Sequence, residues 1–149
     1  MSLPLRPKAS PQRAPLYNLI RFITAADAGP YTQKGLGCDF STFLQGALQV
    51  VPINTADIKA LDAGGDVTTL LVGATSNPAF TVRYWNEEMG MWLVRNPTQL
   101  IAAAGAGVAY EVDLPNVNAR RIFFECTGGI TATQAVLLFA AGALHHESL

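Results

Sequence analysis

Two cysteines (Cys38, Cys126), two histidines (His145, His146) and five scattered carboxylates (Glu87, Glu88, Glu111, Asp113, Glu125) are the residues whose types could do chemistry in this chain. A thiol nucleophile needs an imidazole within hydrogen-bond reach and a third group to orient it. Both histidines fall among the last five residues, where chains usually fray, so neither is placed to serve as a base. His145, His146 and Glu147 also fail as a metal site on their own, because three neighbouring residues cannot all face one ion in a regular element. Glycoside hydrolysis would need two carboxylates across one cleft, one of them in an apolar pocket. The spacing of the acidic residues supplies no such pair, and they read as solvated strand faces and turn tips. Gly105-x-Gly107 lacks the third glycine of a phosphate loop and precedes a strand pattern where a helix N-terminus is required, so it reads as a turn. Asn96-Pro97-Thr98 carries the proline that excludes N-glycosylation. No nucleophile, base or metal constellation emerges, and the expectation is a non-enzymatic protein without cofactor or metal.

One cluster has binding potential. Tyr84, Trp85 and Trp92 flank the turn NEEMG, and two indoles on adjacent strands could form a flat platform for stacking a sugar. Strand alternation opposes this, since Tyr84 and Trp85 must point to opposite faces and at least one of the three is inside. Packing in the core or at a subunit interface is the favoured reading of the trio.

The elements that would position these residues are short and mostly extended. Met1 to Pro15 holds four prolines, the basic Arg6, Lys8 and Arg13, and no acidic residue, a composition suited to an extended arm without a core of its own. Within it Leu3, Leu5, Arg6, Lys8 and Arg13 are the candidate partner-binding residues: two apolar anchors and three cations able to pair with carboxylates on a neighbouring subunit. Leu16 to Asp27 is ambiguous between helix and strand, and Ala28 to Cys38 reads as loop. After that, short apolar runs alternate with turn residues. Strands are expected over Phe43–Ile53, Val67–Val72, Phe80–Trp85, Met91–Val94, Val108–Leu114, Arg121–Thr127 and Gln134–Ala140. A hairpin is expected at Gly90, and Asn54–Asp62 has room for a helical turn. The expected fold is an all-β antiparallel sandwich, jelly-roll-like, with an extended N-terminal arm: residues 1–40 as arm and lead-in, 41–149 as the sandwich.

Composition narrows the function class. The chain has 149 residues, 50% hydrophobic and only 14% charged, where about a quarter is usual, so part of its surface is expected to be covered by partners. A formal net charge of −1 provides no field for nucleic acid or an anionic membrane. No run approaches the roughly 18 apolar residues of a membrane-spanning helix. The cysteines share no ligand-spaced motif, and without a secretory signal they fit a reducing compartment; whether they pair is left open by spacing alone.

The stretch from Val67 to Gly142, about half the chain, resembles a β-sandwich pattern of structural proteins from tailed bacteriophages, above all capsid decoration (cement) and head-fibre proteins. The resemblance lies in an order of parts: the aromatic hairpin FTVRYWNEEMGMWLV, the small-residue turn AAAGAGVAYEVDLP, the arginine-led strand NARRIFFECTGG and the final strand TATQAVLLFAAG. It implies a jelly-roll-like fold, self-association often as a homotrimer, and docking on the major capsid protein or other virion subunits without catalytic residues. The location it implies is the virion, assembled in the host cytoplasm. The alternative function is a tail-associated carbohydrate- or receptor-binding module using Trp85 and Trp92.

Overall fold

The computed structural model describes residues 15–40, 43–54, 71–95, 98–114 and 121–144. The described residues form nine strands in order: β1 (Pro15–Ile23), β2 (Cys38–Asp39), β3 (Phe43–Ile53), β4 (Ala79–Asn86), β5 (Met91–Val94), β6 (Leu100–Ile101), β7 (Tyr110–Leu114), β8 (Arg121–Gly128) and β9 (Ala135–Leu144). A single 3-10 turn, Lys34–Leu36, lies between β1 and β2.

The strands form two sheets, β1-β9-β3-β7 and β2-β8-β4-β5, with β6 also paired to β4. Every pairing is antiparallel. β8 occupies one side of β4, so β5 (opposite Arg83–Asn86) and β6 (opposite Phe80–Thr81) follow each other along the other side and act as one interrupted strand. Chain order then alternates between sheets: β1 in the first, β2 in the second, β3 back in the first, β4 to β6 in the second, then β7, β8 and β9 crossing each time. This is the jelly-roll wrap of an antiparallel sandwich.

The two-residue period of the strands builds the core between the sheets. Leu48 and Val50 of β3 and Val136, Leu138 and Ala140 of β9 face Phe80 and Val82 of β4 and Ile122, Phe124 and Cys126 of β8. Ile23, Phe40, Ile101 and Leu114 close the cluster, none of its members being more than 5% exposed. Fully burying a side chain of this kind contributes about 1.5–3 kcal/mol, which is what holds the two sheets face to face.

Several expected boundaries move. The lead-in was placed outside the sandwich, but β1 pairs with β9 from Pro15 to Ile23 and β2 pairs with β8, so the sandwich takes in the chain from Pro15 onward. The ambiguous segment at Leu16 is a strand. Of Val67–Val72 only Leu71 and Val72 are described, and they lie in a turn with both side chains exposed. Val108 and Ala109 precede β7 without joining it, and β6 was not foreseen. The N-terminal arm, and the helical turn expected after Asn54, lie outside the described residues.

Both cysteines are free. Cys38 pairs with Ile122 while Cys126 lies four positions along β8, so their Cα atoms are roughly 13 Å apart at about 3.3 Å per residue, beyond the ~7 Å a disulfide tolerates. Burial pushes the Cys38 thiol from 9.0 up to about 12, and the Cys126 thiol is raised for the same reason. Burial likewise pushes the Tyr110 hydroxyl from 10.0 up to about 12. These acids ionise more readily in the unfolded chain than in the folded one. The stability they contribute is fully present below about pH 9 and is lost as pH rises toward about 12. Thermal melts across that window should therefore show a falling Tm. A thiol reagent at neutral pH should find almost no reactive cysteine until the protein unfolds; rapid native labelling would overturn this account.

Candidate functional site

The outer face of the second sheet carries the aromatic residues singled out in the sequence. Trp85 of β4 and Trp92 of β5 are direct cross-strand partners, their rings 5.2 Å apart and edge-on at 64°. Trp92 also packs against Phe123 of β8, with ring centroids 5.6 Å apart. The connection from β1 to β2 lies over this row. Tyr31 accepts a backbone hydrogen bond from Trp92 N (2.8 Å), and Gln33 O accepts one from the Trp92 indole Nε1 (2.8 Å). Gly37 is required here: a Cβ at that position would sit 2.2 Å from the end of the Trp92 ring. Trp92 is consequently 0% exposed and offers no face to a ligand. Tyr84 points the other way, packing beside the core, with its hydroxyl donating to Gln99 Oε1 (2.5 Å) and Arg95 stacked 4.1 Å from its ring. The trio is split by alternation as expected, and on the outer face of this sheet only Trp85 of the two indoles keeps part of its surface outside.

The hairpin that places the two indoles turns through Gly90, which adopts φ +65°, a conformation that costs glycine little. At its tip Glu87 receives the Lys34 ammonium, whose bond holds that carboxyl below its ordinary range. The Trp85 N–H adds to this effect without reaching full hydrogen-bond geometry; it and Arg121 Nε are buried without a partner among the described residues.

Beside the indoles lies a polar network that the sequence did not announce. Glu125, only 8% exposed, accepts from Arg83 Nε at 2.7 Å and from the Tyr31 hydroxyl, while the Arg83 guanidinium stacks 4.0 Å from the Tyr31 ring. The Glu125 bond also raises the Tyr31 hydroxyl above its ordinary value. Asp27 receives a two-pronged bond from Arg21 (2.7 and 2.8 Å) and a third bond from Cys126 N (2.7 Å), and Arg21 also donates to Phe124 O (3.0 Å). These groups satisfy one another and clamp the β1–β2 connection onto β8.

The remaining carboxylates are spread apart. Glu111 projects from the outer face of the first sheet, where Gln49 Nε2 donates to it at 2.9 Å, so it and Glu125 lie on opposite outer faces of the sandwich. Among the described residues no three His, Cys, Asp or Glu side chains converge on a point that could hold a metal ion. The Gly105–Gly107 turn has its amides engaged internally, by Asn77 Oδ1 (2.9 Å) and Ser76 O (2.8 Å). His145, His146, Glu147 and the arm residues Leu3, Leu5, Arg6, Lys8 and Arg13 lie outside the described residues.

The outer face of the first sheet is different in kind. Register sets Phe22, Leu137 and Val51 in one row and Leu19, Phe139, Gln49 and Glu111 in the next. Leu19 is 57% and Phe22 52% exposed, side by side on the edge strand β1. The face is apolar toward β1 and acidic toward β7, where Glu111 and Asp113 sit.

Fold and faces together define a jelly-roll β-sandwich with one covered aromatic face and one apolar face exposed along β1, the residues Ala47, Ile53, Ala135 and Ala141 of that second face being buried. No protein-family model, curated protein or solved structure matches the chain.

Proposed function

We propose that this chain is a structural protein of the capsid decoration (cement) type, which binds an assembled lattice through protein–protein contacts and carries out no reaction. The observation that carries the reading is the exposed apolar margin of the first sheet, where Leu19 and Phe22 stand exposed beside the half-buried Phe139 and Leu137. Adjacent exposed side chains of this size mark surfaces that are covered in use. The jelly-roll wrap agrees, since this architecture recurs in capsid proteins, although it also serves lectins and does not by itself fix function. In this reading the partners are the major capsid protein or other virion subunits, the chain self-associates, and its place is the virion, assembled in the host cytoplasm. The covered position of Trp92 weighs against the carbohydrate-binding alternative at the tail.

The proline-rich segment ahead of β1 supplies the attachment, through Leu3, Leu5, Arg6, Lys8 and Arg13. Deleting residues 1–14, which stops short of the first strand residue Pro15, should leave the Tm of the free protein nearly unchanged and sharply reduce occupancy on capsids. The binding of the full chain, which keeps Arg6, Lys8 and Arg13, should weaken with added salt. Full occupancy by the truncated chain would remove the arm from the mechanism. Binding to glycans but not to capsids would replace the reading with the tail-associated one.

A further inference from the structure

We propose that the free edge of β1 is a self-association site, at which a second copy of this chain adds its own β1 antiparallel and extends the first sheet across a two-fold axis. The inference deepens the self-association named in the capsid reading and draws on the same exposed pair, Leu19 and Phe22, but it needs no capsid and gives a two-fold contact where the resemblance implies a homotrimer.

Among the described residues the two sheets have four edges, and three are blunted by charge, shortness or interruption. β7 is five residues long and carries Glu111 and Asp113, β2 has two residues, and β5 and β6 interrupt each other. Charge, shortness and interruption are the usual means by which sheet edges avoid pairing with other chains. β1 is neither short nor interrupted and its edge shows no outward charge, so its protection is limited to Pro15 at its start and the bulge between Leu19 and Arg21. The strand is nine residues long, and its single charged side chain, Arg21, is drawn back onto Asp27 and Phe124 O, leaving that side chain 19% exposed. The bulge between Leu19 and Arg21 turns Leu19 and Phe22 together onto the open face, directly beside the edge.

A second copy fits this surface better than an unrelated partner does. Two identical strands placed antiparallel about a two-fold match each other's unpaired N–H and C=O groups, and no like charges meet because the edge presents none. A half-exposed Leu or Phe offers roughly 100 Å². With Leu137, Phe139 and the backbone edge, the surface comes to roughly 500 Å² per copy, or about 1,000 Å² in all, near the lower limit for specific association. The expected complex is a reversible dimer.

The test uses the full-length chain in the absence of capsids, so its outcome is separate from that of the capsid reading. Leu19 is the middle residue of β1, and the axis would bring its two copies together. Cys126 is buried and Cys38 half-buried, so Leu19→Cys introduces a far more exposed thiol, made in a Cys38→Ser background; Leu100→Cys on β6, a position 68% exposed, in the same background is the matched control. Under mild oxidation the Leu19→Cys chain should form disulfide-linked dimers at least about tenfold faster than the control, as expected when two thiols are held adjacent. Leu19→Lys should weaken the dimer about 100-fold in sedimentation equilibrium, because both copies lose an anchor, with far-UV circular dichroism and Tm unchanged. Equal crosslinking of the two cysteine variants, a wild-type monomer at 100 micromolar or so, or an oligomer indifferent to Leu19→Lys would overturn the proposal.

Discussion

Replacing Trp92 by alanine is expected to lower the Tm by about 10 °C, the largest loss from any single truncation on the outer face of the second sheet. The indole is wholly enclosed by Trp85, Phe123 and the chain from Tyr31 to Gly37, so its removal leaves a cavity and also strands Gln33 O without its donor. Buried Trp or Phe to Ala costs about 3–5 kcal/mol, and in a domain of this size each kcal/mol moves Tm by about 2–4 °C. Trp85→Ala should cost less, because Trp85 keeps part of its surface in solvent. Calorimetry on both variants and the wild type checks the order. A glycan array run alongside should show no binding defect separable from the stability loss. Unchanged Tm with lost glycan binding would restore the platform.

Glu125→Ala is expected to destabilise the fold by about 3 kcal/mol, because it leaves the Arg83 guanidinium poorly compensated and the Tyr31 hydroxyl without its acceptor. The side chains of the pair are 19% and 11% exposed, so the loss belongs at the low end of the range for buried ion pairs. Urea unfolding should show a lower midpoint, and limited proteolysis should cut sooner between residues 24 and 37, since this acceptor helps hold that connection down. Replacing both partners together, Arg83→Met with Glu125→Leu, should recover much of the loss. If the double variant were no better than the single one, the tyrosine bond and not the ion pair would be the main contributor.

The parts of the fold legible in the sequence are those whose partners share a plain two-residue period. β3 spans the expected Phe43–Ile53, and β4 and β5 form the expected hairpin about Gly90. β1 was ambiguous for a specific reason. Its bulge inserts a residue, so Ile20 and Ile23 face the core while Leu19 and Phe22 face out, and the resulting three-residue spacing imitates one side of a helix. β6 is too short for any period. The Arg21–Asp27 and Arg83–Tyr31–Glu125 network was illegible because Tyr31 meets Glu125 across 94 positions and Asp27 meets Cys126 across 99. Glu125, expected on a solvated strand face, is instead only 8% exposed, because a connection from the other end of the chain covers it and nothing local in the sequence reveals that cover.

The order of strands in the first sheet also constrains when this molecule can fold. β9 lies between β1 and β3, and among the described strands β1 touches the rest of its sheet only through β9. During synthesis the opening strand must wait unpaired until residues 135–144 have left the ribosome, more than a hundred residues later. Closing so long a span before any reward is the slow step of β-rich folding. An incomplete chain that ends before β9 would therefore carry Leu19, Phe22 and a bare strand edge together, making premature termination the most aggregation-prone event in the life of this protein.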